Sequence, residues 1–448
     1  MYFSFLSLII LLLSSFIFKK VAGSLAVRNL NMISWMFYIN LILQSFISSV
    51  IVVNGWEDHY RISRQLTTQD SRLYGWLAVQ WVMLAMPIAM YMIVIFSGFK
   101  STERQYLTYI RKPIEEFTSR NNKSLFKLIS LLTGISLLAV CYTFYTIGFI
   151  PQLKLFSLSG LLSAELREDV GRGFEGSFIF RNIFALTLTP ILSYIWFAYS
   201  FYYKKRRMKL VFYIMLIASL LIVSYNLAKS PIVFYLIGLL FLNVYIKGGV
   251  KISKIVYLFL FLFCILIFSY YLTFDSFDIL HLLSINSGIG GRVLLGQSMG
   301  IYFSMDVFPK HHEFLGMNSV SQFVSNIIGN DYSPRSARIL MEHVNPKGVA
   351  NGTAGLMNSL YIGEAWANWG IFGVFIAPFI VGFYIQTIFM FFITSKKHPI
   401  YLGLFAYLSF RLPVVGGVND FIYNPIHVIL FIIFFSYLFM TSKSRLRN

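Results

Sequence analysis

Arginines set beside glycines, and arginines one helical turn apart, are the side chains of this sequence best suited to chemistry. Arg172 stands between Gly171 and Gly173, in a stretch that also holds Arg167, Gly176 and, a little later, Arg181. Arg292 follows Gly288-Ile289-Gly290-Gly291. Glycine permits positive φ and the close approach of a ligand or a second backbone. A guanidinium is a planar fork that grips phosphate or carboxylate with two hydrogen bonds. It also stabilises negative charge that grows as a phosphate departs. Arg335 and Arg338 are three residues apart, and Arg338 precedes Glu342 by four, so on a short helix they would share one face. His343 follows, and a neutral imidazole is a general base near pH 7. Arg167, Arg172, Arg181, Arg335 and Arg338 are the substrate-binding candidates; His343, Arg292 and Glu364 are the catalytic ones. The bland alternative for each is a surface ion pair or a packed structural side chain.

Glu364 sits in Gly363-Glu364-Ala365-Trp366-Ala367-Asn368-Trp369-Gly370-Ile371-Phe372-Gly373, where an apolar span opens. An ionisable residue there is costly unless paired or solvated, so it is expected to orient an Arg or a sugar hydroxyl. Gly370 and Gly373 are read as permitting close helix packing. Tyr302, Phe303 and Tyr332 are candidates for stacking on sugar rings. His311-His312 lacks metal-ligand spacing, and no metal or other cofactor is expected. Trp56-Glu57-Asp58-His59 is the one acidic string that would suit a metal-dependent rival.

These residues must be positioned by a membrane framework. Hydrophobic residues are 57% of the chain and charged residues 12%, about half the charged share of a soluble domain. Apolar runs long enough to cross roughly 30 Å of hydrocarbon recur along the chain. The fold class expected is an all-α polytopic membrane protein. About eleven spans are read, near 1–18, 33–53, 74–97, 126–147, 179–203, 210–228, 231–246, 255–273, 366–394, 399–415 and 421–441. The run Met1–Phe18 has its lysines after the apolar stretch, unlike a cleaved leader, so it is read as the first span with its N-terminus outside. Cys141 and Cys264 lie within apolar runs, which excludes a disulfide framework.

Net charge is +19, but its placement argues for orientation in the membrane rather than for nucleic-acid binding. Most Lys and Arg fall in short loops, including 98–127 and Lys204–Lys209, which the positive-inside tendency assigns to the cytoplasm. The loops 54–73, 148–178 and 274–358 then lie outside. The chain is read as one membrane domain over 1–448, with a smaller external excursion at 148–178 and a large one at 274–358. External arginines run against the charge trend, so an anionic ligand at the outer face is the natural reason for them.

Many spans, two external Arg/Gly loops and the Gly363–Gly373 string together resemble the Wzy class of O-antigen and capsule polymerases. The likeness covers most of the chain in architecture and concentrates in 163–181 and 288–373. In that family an Arg and a Gly stand about ten residues apart in both loops; here eight residues separate Arg167 from Gly176 and nine separate Arg338 from Gly348. The resemblance implies a GT-C-like glycosyltransferase of the bacterial cytoplasmic (inner) membrane. Its donor and acceptor would be undecaprenyl-diphosphate-linked oligosaccharides, joined with inversion without metal or nucleotide, with membrane lipids as surroundings and a chain-length regulator protein as a conceivable partner. Rival readings are an O-antigen ligase, a metal-dependent polyprenyl-phosphate-sugar transferase using Glu57 and Asp58, and a non-enzymatic flippase.

Overall fold

The computed structural model describes residues 2–115, 119–154, 170, 174–228, 230–271, 283–352 and 354–424. Arg167, Arg172, His281 and most of the eleventh expected span lie outside the described residues. Regular structure among those residues is entirely helical. Among the described residues, seven helices are long and apolar enough to cross a membrane: Tyr2–Val21, Met32–Val53, Asp70–Phe96, Lys123–Ile147, Phe180–Tyr203, Ser230–Lys247 and Ile362–Thr394. The helices Arg206–Val223, Ile252–Tyr271 and Pro399–Arg411 occupy three more of the expected span positions. This is a multi-pass membrane protein. Its outward surface carries exposed Phe5, Leu12, Phe16, Phe96, Tyr145 and Phe372, the side chains that lipid rather than water would cover.

Helix packing follows from small and apolar residues on facing sides. Asp70–Phe96 packs along Ile362–Thr394, where Gly382 meets the backbone of Met86. Phe180–Tyr203 packs on Arg206–Val223 and on Pro399–Arg411, with Gly403 against Ile195. Two spans contain π-helical turns, Met36–Phe46 and Phe180–Leu188. In each a hydroxyl reaches a carbonyl five residues back: Ser45 Oγ to Asn40 O at 2.9 Å and Thr187 Oγ1 to Asn182 O at 2.7 Å. Each bond comes from a buried hydroxyl inside the widened turn.

Loop-to-loop hydrogen bonds respect an alternating topology. On the side expected to be cytoplasmic, Val250 N donates to Arg28 O, Tyr106 Oη to Leu30 O, and Lys397 Nζ to Ile110 O and Lys112 O. On the other side, Thr67 reaches Asp306 and Arg335 reaches Asp420. The segments expected to be external have a small core of their own, with Val52, Ile62, Leu295, Tyr302, Phe303 and Leu340 among its buried residues. Tyr302 and Phe303 are fully buried there, which removes them as stacking platforms for sugars. Tyr332 remains exposed.

Candidate functional site

The candidate site begins with a break in a helix. As one straight rod, the 33 residues of Ile362–Thr394 would extend about 50 Å, far beyond the hydrocarbon thickness. Gly370 interrupts it at φ 58°, ψ −139°, a conformation essentially reserved for glycine. A Cβ on Gly373 would meet the carbonyl oxygen of Ala365. In an unbroken helix, positions eight residues apart are separated by about 12 Å along the axis, so the chain turns back at Gly370. The close packing read for these glycines is thus that of Gly373 against its own folded-back chain and of Gly370 against Phe314. The break frees the carbonyls of Ala367 and Asn368, and the amides of Leu315 and Gly316 fill them at 3.0 and 2.9 Å.

The folded-back turns carry Glu364 into a charged cluster. Arg335 is the N-cap residue of the helix Ser336–Val344, with extended backbone, so its side chain leaves on a different heading from Arg338. Its Nε and Nη2 donate to Glu364 Oε1 and Oε2 at 2.8 and 2.9 Å. On the other edge, Nη1 and Nη2 donate to Asp420 Oδ1 and Oδ2 at 3.0 and 3.3 Å. Asn419 N donates to Glu364 Oε2 at 2.9 Å. A polar ring behind it holds the loop: Asn368 Nδ2 to Asn419 Oδ1, Ser319 Oγ to Asn368 Oδ1, and Asn419 Nδ2 to Ser319 O. Gly417, at φ 146°, lies so close that a Cβ there would collide with the Glu364 carboxylate and come within 2.5 Å of Arg335 Nη2.

Burial grades across this cluster. The Glu364 side chain is 5% exposed, that of Asp420 25% and that of Arg335 31%. Glu364 is therefore the closed base and Asp420 the open edge. Burial opposes the charge on Arg335, but Glu364 and then Asp420 outweigh it and hold the guanidinium protonated beyond its ordinary range. Two carboxylates around one cation leave a net charge of about −1. Each Asp420 oxygen accepts one bond from Arg335, which leaves lone pairs for a further donor.

The remaining expected residues are dispersed. Arg335, read as part of a phosphate clamp, has both edges of its fork occupied by protein carboxylates. Arg338 is partly exposed and pairs with Glu342 at 2.7 Å, the four-residue pairing seen in the sequence. His343 is exposed and lies beside His311, ring centroids 5.2 Å apart, not against Arg335. Arg292 is exposed on the helix Gly288–Leu294 and forms no ion pair among the described residues. Arg181 is buried, with its guanidinium over the rings of Phe174, Phe178 and Tyr225. Of the arginines read as phosphate-gripping, Arg167 and Arg172 lie outside the described residues, and Arg335 and Arg338 turn to different carboxylates. Asp420, Asn419 and Gly417 were not singled out in the sequence. An acidic residue between two apolar runs, just after a Gly-Gly pair, was the available signal.

Two other carboxylates at this face have different partners. Arg72 Nη1 comes within 2.6 Å of the fully buried Glu57 side chain. Asp306, fully buried, accepts from Thr67 N and Oγ1, Thr68 Oγ1 and Ser71 Oγ at 2.8–3.1 Å. No group of three His, Cys, Asp or Glu side chains has metal-holding geometry among the described residues.

Beside the charged cluster an apolar groove of about 450 Å³ runs between Asp70–Phe96 and the broken span. Tyr74, Leu77, Trp81, Met305, Trp366 and Phe375 line it. Trp366 and Glu364 belong to the same short helical stretch. No family model, curated protein or solved structure matches this chain.

Proposed function

We propose that this protein is an outer-face membrane glycosyltransferase acting on polyprenyl-diphosphate-linked oligosaccharides, a polymerase of repeat units in a bacterial cytoplasmic membrane, with eleven crossings and a GT-C-like arrangement. The observation that carries the reading is the double placement of one folded-back helix. It offers Glu364 to an open, charged polar site and Trp366 to an apolar groove between spans. A substrate with a polar glycan and a long hydrocarbon tail needs both environments side by side.

The chemistry assigned to the cluster differs from a phosphate clamp. A net negative site repels a diphosphate and suits sugar hydroxyls. Asp420 is the proposed base. The acceptor hydroxyl oxygen attacks the anomeric carbon, and its proton passes to Asp420. The bond from that carbon to the diphosphate oxygen breaks, and the diphosphate leaves with the electron pair. Arg335 and Glu364 are positioning residues that fix the Asp420 carboxylate. Arg292, exposed on the large outer segment and without an ion pair among the described residues, is assigned to the leaving diphosphate.

Reconstitution in liposomes with a polyprenyl-diphosphate oligosaccharide tests this. Wild-type protein should yield longer glycans on the same lipid, whereas a ligase would yield product only when a lipid A–core acceptor is added. Asp420→Asn should slow the reaction by about 10²–10⁴-fold, the usual contribution of general-base catalysis. Wild-type rates from both Asp420→Asn and Glu364→Gln, or lipid movement without any new glycosidic bond, would overturn the assignment.

A further inference from the structure

On the face opposite the charged cluster, the inner loops enclose a second site. A hollow of about 530 Å³ opens beside the C-terminal half of the Ser230–Lys247 helix. Leu236 and Leu240, one turn apart, form its apolar wall. Arg28, Lys247, Lys251 and Lys254 stand around it, and all four are exposed. These cations come from three separate segments: the 27–29 turn, the end of one helix and the start of the next. Val250 N donates to Arg28 O at 3.0 Å, and a Cβ on Gly249 would lie 2.8 Å from Asn29 Oδ1. The two loops are thus joined through their backbones, which holds the cations near one another.

The tendency of cations to stay on the inner side explains their number but not this convergence. Two facts go beyond it. No carboxylate lines the hollow among the described residues. The helix Ile252–Tyr271 opens with Lys251 and Lys254 and has no acidic residue in its first turn, although the helix dipole there disfavours cations. Like charges crowded at a positive helix end are stabilised by an anion between them. Apolar walls below a cationic mouth match an amphiphile whose phosphate lies at the interface and whose chains lie along the helix.

We propose that this hollow binds an acidic phospholipid of the inner leaflet, with its phosphodiester among Arg28, Lys247, Lys251 and Lys254 and an acyl chain against Leu236 and Leu240. The site is independent of the outer-face chemistry.

Native mass spectrometry of the full-length protein, delipidated and then exposed to phosphatidylglycerol, cardiolipin or phosphatidylcholine, reads the binding directly. The expected result is retained phosphatidylglycerol or cardiolipin and little phosphatidylcholine. Each cation changed to Gln should weaken retention about fivefold, the effect of one basic residue near an anionic surface. The single variants Arg28→Gln and Lys251→Gln are measured beside the fourfold variant, so that a misfolded fourfold variant does not leave the matter open. Changing Lys204, Lys205, Arg206 and Arg207 to Gln removes the same charge elsewhere on that face and should leave retention unchanged. Equal loss from that control would mean general surface attraction and sink the proposal. Displacement of the lipid by millimolar inorganic phosphate would instead identify an anion site indifferent to the chains, and would overturn the lipid assignment.

Discussion

Asp306 and Glu364 are both buried carboxylates on the side expected to be external, and they are satisfied in opposite ways. Asp306 takes its hydrogen bonds from three hydroxyls and one amide, all within Thr67–Ser71. Glu364 takes two of its bonds from Arg335, which it shares with the more open Asp420. The first arrangement consumes its acceptor capacity within the protein and ties the 67–71 segment to the helix Met299–Val307. The second leaves a carboxylate edge available to a third party. A fully satisfied buried charge is fastening; a shared and partly open one is equipped for chemistry.

This contrast can be broken most sharply at Arg335. Arg335→Ala leaves Glu364 buried beside Asp420 without their common cation. Loss of one partner of a buried pair costs about 3–5 kcal/mol, and the partial exposure of Arg335 favours the lower end. Thermal unfolding in detergent should show the loss, and Arg335→Ala with Glu364→Gln should recover part of it. No recovery in the double variant would mean that Arg335 is not there to neutralise Glu364.

Asp306→Asn should be milder, about 1–3 kcal/mol, and should appear first as faster amide exchange at Thr67. Glycan transfer per folded molecule should stay near wild type, unlike that of Asp420→Asn. A large fall in transfer without loosening of Thr67 would erase the distinction between the two carboxylates.

Acid sharpens it further. Burial raises the pKa of Asp306, but its hydrogen bonds outweigh this and hold the carboxyl below the ordinary value. Its contribution to stability is therefore complete above the unfolded-state pKa and disappears as pH falls through the lower folded value. Protection of the Thr67 amide should persist at pH 5 and vanish only below the usual carboxylate range. Loss already at pH 5 would contradict the ionised, hydrogen-bonded state.

The smallest effect belongs to Arg338→Gln. An exposed pair four residues apart on a helix contributes about 0.3–0.5 kcal/mol, so stability should barely move. A marked loss of transfer at normal stability would place Arg338 on the substrate rather than on Glu342.

The membrane helices were legible in the sequence because hydropathy over twenty residues is a local property. The Arg338–Glu342 pair was legible for the same reason. Arg335 was misplaced on the face of Arg338 because a cap residue leaves the helix before the three-residue spacing applies. Asp420 was overlooked because its partner lies 85 residues earlier, and no periodicity links the two. Gly370 was seen, but only the structure reveals a reversal there, since its φ and ψ depend on Phe314, Leu315 and Gly316 docking from a distant segment.

That docking bears on how the protein can be recombined. The amides of Leu315 and Gly316 complete a helix they are not part of, so the 314–319 segment and the 362–370 turns form one inheritable module. A chimera that exchanges either alone with a relative of different backbone geometry would strand two buried carbonyls. Exchanged together, with the 416–420 loop that seals Glu364, they should transplant as a unit.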